Sequence, residues 1–115
     1  MTKRMIDYYR QVVGLRTGNP NLDDAIYNYL LHGLEPGSFT RAVLENNLSA
    51  AAAKADSQNA ENLTFIVRAV AAHMPIDTWG SPEKVRAWLN DANGHRADYK
   101  DYVLERATMM KMEDQ

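Results

Sequence analysis

Six side chains carry the chemistry this sequence could do: Arg41, Asn46, Asn47, Asp56, Asn59 and Trp79. A guanidinium pairs a phosphate through charge-assisted bonds, an indole stacks on a base, and amide and carboxylate groups hydrogen-bond the edges of a ligand. Together they describe capture of a small nucleotide-like anion without turnover. Each also has a plain structural use: Arg41 in a surface ion pair, Asp56 as a helix cap, Trp79 with Phe39 as a plug in the core. No catalytic arrangement accompanies them. His32, His73 and His95 are isolated, with no pair at i, i+4 and no carboxylate at a metal-site spacing. His32 and His73 fall near expected helix C-termini, where a cation is favourable. The Asp23-Asp24 doublet suits a helix's first turn better than a dyad. No G-x-S-x-G marks a nucleophile, and Gly18-Asn19-Pro20-Asn21 is too short for a phosphate loop and lacks its lysine. The chain is therefore expected to have no catalytic residue, no metal and no cofactor.

The elements that must position the six residues are all helical by pattern. Met5, Ile6, Tyr9, Val12 and Val13 recur at helical spacing until Gly14 stops them. Residues 15–20 are loop by composition. Asn21 is the expected N-cap of a helix that Gly33 ends. Ser38 is the expected cap of the next, with Phe39, Ala42 and Val43 on one face. Asn46-Asn47 is a weak point, because asparagine offers the backbone competing hydrogen bonds. The alanine-rich run 48–55 favours helix. Asp56 or Ser57 is expected to cap one long helix through Leu63, Ile66, Val67, Val70 and Met74, ended by Pro75. Ser81 at the N-cap, Pro82 at N1 and Glu83 in the first turn form the clearest helix start in the chain. Val85, Trp88 and Leu89 line its inner face, and residues 90–94 break it. A last helix spans about 98–112. No segment alternates with period two. The expectation is an all-α fold: a single domain over 1–115, built as a compact orthogonal bundle of five to seven helices with a core at about 21–90. Turns 34–38, 46–48, 55–59 and 75–81 are expected to share one face.

Composition narrows the classes of function. The 115 residues are enough for one core. No cysteine is present, which removes disulfides, thiolate metal sites and cysteine nucleophiles and fits a reducing, cytoplasmic setting. Thirteen basic against fifteen acidic side chains give a net charge of -2, so there is no global pull on nucleic acid or anionic lipid. The basic N-terminal stretch 1–7 has no apolar run behind it and does not read as a signal peptide. No stretch approaches the ~18 apolar residues of a membrane span.

Three surfaces compete with the six-residue site. Arg4, Tyr8, Tyr9, Arg10 and Arg16 interleave cations with aromatics, a pattern that fits nucleic acid but fits a solvated helix face better in an acidic chain. Residues 38–72 can be read as helix-turn-helix, yet the second helix offers Glu61 and Asn62 and few cations to hold phosphates. The last helix carries Met109, Met110 and Met112 beside Tyr99 and Tyr102, side chains suited to adaptable contacts, and points to a homo-oligomer.

Pro36-Gly37-Ser38-Phe39, then Ala42-Val43-Leu44 with Asn46-Asn47-Leu48, Ala55-Asp56, Asn59, Pro75, Trp79-Gly80-Ser81, Val85 and Trp88 form a spaced pattern over about half the chain. It resembles that of a group of small proteins encoded in bacteriophage and prophage genomes. The group carries an aspartate beside the position of Asn46, where this chain has Asn47. The resemblance implies a viral accessory protein made in the bacterial host cytoplasm and acting by binding. Its implied role is anti-defence: sequestering a nucleotide-derived immune signal or blocking a host defence protein. A phage regulatory or DNA-associated protein is the alternative, to be marked by a basic groove; nucleic acid and membrane are not expected partners.

Overall fold

The computed structural model describes residues 4–114; Met1, Thr2 and Lys3 of the basic N-terminal stretch lie outside the described residues. Among them every regular element is helical: α1 (Met5–Val13), α2 (Pro20–His32), α3 (Ser38–Leu44), α4 (Leu48–Lys54), α5 (Ser57–Glu61), α6 (Leu63–His73), a 3-10 turn (Ile76–Thr78), α7 (Pro82–Asn90) and α8 (His95–Glu113). The all-α class stands, and the described residues form eight α-helices, one more than the expected five to seven, because the single long helix expected after Asp56 is divided in two.

The boundaries follow local chemistry. Gly14 and Gly33 close α1 and α2 in the left-handed conformation, φ 75° and 64°. The cap of α2 is Asn19, not Asn21: its side chain accepts from the Asn21 and Leu22 amides and Pro20 takes N1. Gly37 holds the N-cap of α3, which places Ser38 one residue inside. Asn47 accepts the Ala50 amide at 3.1 Å and starts α4, so the Asn46-Asn47 weak point is a true break. The single long helix expected after Asp56 divides at Asn62, whose φ of -101° and ψ of 9° leave the helical region between α5 and α6. Asn19 Nδ2 donates to Asn59 Oδ1 at 3.3 Å, tying α5 to the loop before α2. Ser81 accepts the Lys84 amide at 3.2 Å and Pro82 begins α7.

The molecule measures 46 × 35 × 20 Å. A thickness of about two helix diameters leaves most helices one covered and one open side. Ile26, Tyr29 and Leu30 of α2, with Leu44, Ile66, Val70, Val85 and Val103, form the fully covered centre. Each such aliphatic side chain contributes about 1.5–3 kcal/mol by leaving water. The core also takes Val13 and Leu15 before residue 21 and Val103 after residue 90. α8 is thus built into the domain: it lies along α1 and α2 and buries Val103 and Ala107. Two buried tyrosine hydroxyls are paired, whereas the indole Nε1 of buried Trp88 has no hydrogen-bond partner among the described residues. Tyr29 donates to the Thr78 carbonyl at 2.7 Å, and Tyr27 to that of Leu15 at 2.7 Å.

Candidate functional site

The six chemistry-bearing residues do not converge as one face. Arg41 and Asn47 line a common cleft of about 290 Å³ with Glu35, Glu45 and Lys54. Arg41 leaves α3 toward two carboxylates: its Nε donates to Glu45 Oε2 at 3.0 Å, one helical turn on, and Nη1 pairs with Glu35 across the preceding turn. The hydrogen bond to Glu45 is the chief reason the guanidinium is held even more firmly protonated than usual. Its charge is already answered twice. Lys54 also lines the cleft, which therefore has two anions against two cations, so an incoming phosphate meets no net positive field.

The other four are employed elsewhere. Asp56 Oδ1 accepts the Asn59 backbone amide at 2.8 Å as the cap of α5, and Asn59 Oδ1 accepts from Asn19 Nδ2 at 3.3 Å. Asn46 sits at φ 62°, a left-handed position that asparagine tolerates better than most residues, with its side chain in solvent. Trp79 is half-buried against the core, and the next residue's amide, that of Gly80, donates to the Leu44 carbonyl at 2.7 Å. That bond joins the 75–81 turn to the end of α3, while the 55–59 turn is drawn to Asn19. Glu35, Glu45 and Lys54 are the cleft residues the sequence reading missed. The i, i+4 spacing of Arg41 and Glu45 was the available signal for one of them.

The outer side of α8 presents a different surface. Seven large apolar side chains are exposed among the described residues, and Tyr102, Met109 and Met112 of α8 are three of them, at 54%, 48% and 68%. Their spacing places them within one stripe of the helix, roughly opposite Val103 and Ala107. Asp98 and Glu105 lie in the same stripe and Asp101 and Glu113 flank it, against one flanking cation, Arg106; all five are exposed. Tyr102 is not a loose side chain. Its ring lies 6.4 Å from that of Tyr99, which meets Trp88 in a T-shaped contact at 5.9 Å and 65°. Burial, with Tyr102 and Tyr27 nearby, pushes the Tyr99 phenol up to about 12, so it stays neutral beneath the stripe. The stripe is an apolar strip with an acidic border, anchored through two aromatic rings to the core.

Among the described residues no group of three or more His, Asp or Glu side chains is placed to hold a metal ion. No helix of them is long and apolar enough to cross a membrane. No protein-family model matches the chain, and no curated protein or solved structure matches it significantly.

Proposed function

We propose that this protein is a non-enzymatic phage accessory factor of the host cytoplasm that blocks a host defence protein, and that it does so through the outer side of α8. The observation that carries the reading is the Tyr102-Met109-Met112 stripe with its border of carboxylates. Methionine adapts to the shape it meets, and a tyrosine resting beside Tyr99 supplies a large aromatic contact. The acidic border selects a partner segment that is basic and amphipathic, and speeds its encounter. A second copy of this chain would bring the same carboxylates against one another, which disfavours self-pairing through this stripe. The phage setting rests on the sequence resemblance.

The signal-sequestering alternative draws less support. A nucleotide entering the Arg41 cleft must displace Glu35 or Glu45 from the guanidinium, giving up one charge-assisted bond to form another.

Plating efficiency of defence-sensitive phage on bacteria that carry individual defence systems and express this protein tests the reading. Expression is expected to restore plating against at least one system. Met109→Glu with Met112→Glu is expected to abolish the rescue while Arg41→Ala retains it. Loss with Arg41→Ala alone would move the assignment to signal capture, and no rescue against any system would remove the anti-defence role. Light scattering on the same proteins decides the homo-oligomer question: a dimer that the two methionine substitutions dissolve would assign the stripe to self-association.

A further inference from the structure

A second site lies on the inner side of α8, away from Tyr102 and Met109. Where α8 crosses α1 and α2, a cavity of about 240 Å³ opens between Tyr9, Leu31, His32, Lys100, Val103 and Leu104. Leu31 and Val103 are 5% and 1% exposed and make an apolar floor. At the rim Lys100 Nζ stands 3.3 Å from His32 Nδ1. An ammonium has only protons to offer, so Nδ1 must accept, and the ring is neutral with its proton on Nε2. None of the ion pairs among the described residues includes Lys100 or His32. In a chain of net charge -2, this is a cation without an anion beside a buried apolar surface.

We infer that this cavity binds a small apolar carboxylate, with the carboxylate on Lys100 and His32 and the hydrocarbon on Leu31, Val103 and Leu104. The volume falls below the range of about 300–1,000 Å³ usual for larger ligands, which limits the occupant to the size of hexanoate or benzoate. A carboxylate oxygen replaces the imidazole as the acceptor for Lys100. The freed Nδ1 then takes a proton from solvent and donates to the second oxygen. The charged groups acting on His32 are Lys100 and Arg96 from α8, and Tyr9 of α1 lines the same cavity; His32 itself ends α2, where the helix C-terminus favours a cation. Burial, then Lys100 and Arg96, hold His32 below its usual pKa. A bound anion reverses the electrostatic part of that shift, so binding takes up a proton and tightens as pH falls from about 7.5 to about 6, while the ligand stays ionised.

The test is an NMR titration of the whole protein with hexanoate and benzoate, and with hexanol as the uncharged control, at both pH values. Saturable shifts are expected at Tyr9, Leu31, Val103 and Leu104, stronger binding at the lower pH, and an upward move of the His32 titration midpoint. Lys100→Met, which keeps the apolar stem, is expected to weaken the acids about tenfold or more through the lost charge-assisted bond and to leave hexanol unaffected. The proposal is overturned if neither acid saturates the site by about 10 mM, an affinity weaker than about 3 kcal/mol. It is equally overturned if hexanol binds as well as hexanoate, or if Lys100→Met gives a folded spectrum with undiminished acid binding.

Discussion

The link between Gly33 and Arg96 is open to a quantitative test. Gly33 ends α2 at φ 64°, and the guanidinium of Arg96 fills the space where a Cβ would stand: a methyl there would lie 2.8 Å from Nη2 and closer still to Nη1 and Cζ. The tip of an arginine normally moves aside at little cost. This one is held, because Nε donates to the Trp88 carbonyl at 3.0 Å and Nη2 to that of Leu89 at 3.4 Å, in the last turn of α7. One side chain thus satisfies the end of α7 while lying over the end of α2. Arg96→Ala is expected to cost about 1.5–3 kcal/mol for the charge-assisted bonds. Gly33→Ala is expected to cost about 1–2 kcal/mol for the left-handed backbone, plus the same ~1.5–3 kcal/mol because the guanidinium is expelled. In the double variant the bonds are lost only once. Its destabilisation should therefore fall short of the sum of the single effects by about 1.5–3 kcal/mol. Urea denaturation of the four proteins, with m-values compared to confirm two-state behaviour, reads this directly. Additivity to within about 0.5 kcal/mol would refute the reasoning, since it would show that a Cβ at 33 leaves the Arg96 bonds intact.

Three further outcomes follow from the packing. Tyr29→Phe strands the buried Thr78 carbonyl and should destabilise the fold by about 1–3 kcal/mol; an unchanged urea midpoint would mean that the carbonyl finds another donor. Because His32 titrates below its usual value when folded, the unfolded chain binds more protons in that window; stability should fall as pH drops from 7 through the ordinary histidine range, and His32→Gln should flatten that part of the pH profile of the denaturation midpoint. Truncation after Gly94 removes Val103 and Ala107 from the interior and should abolish cooperative unfolding rather than yield a smaller folded species; a truncated chain with a sharp transition would show that α8 is dispensable to the core.

What could be read from sequence was what local chemistry decides. The start of α7 follows from Ser81, Pro82 and Glu83 with no help from the rest of the chain. The break at Asn46-Asn47 follows from asparagine's own hydrogen bonding. Asn19-Pro20 offered the same cap-and-proline signal as Ser81-Pro82, so the start of α2 was legible two residues earlier than read. The division at Asn62 was not legible: the fixed position of α5 involves Asn19 and Asn59, forty residues apart, and no window along the chain contains both. The candidate site fared similarly. That Arg41 would pair with Glu45 was written in their spacing, whereas Glu35 meets it only because the 34–37 turn folds back. The turns were expected to share one face; the Gly80 amide on the Leu44 carbonyl does bring the 75–81 turn to the end of α3 beside the 46–48 turn, whereas Asn59 is drawn away to Asn19. The outer stripe of α8 carries the side chains first noticed in the sequence, Tyr102, Met109 and Met112; the separation of that stripe from the buried Val103 and Ala107 needed the fold.

The most direct test of blockade through α8 is site-specific photocrosslinking in phage-challenged bacteria, with a photoreactive residue placed at Met109 in one strain and at Arg41 in another. The expectation is one discrete heterologous adduct from position 109, formed with a basic segment of a host defence protein and weakened as ionic strength rises, and no such adduct from position 41. Adducts from position 41 alone, or from position 109 only to a second copy of this chain, would contradict the account.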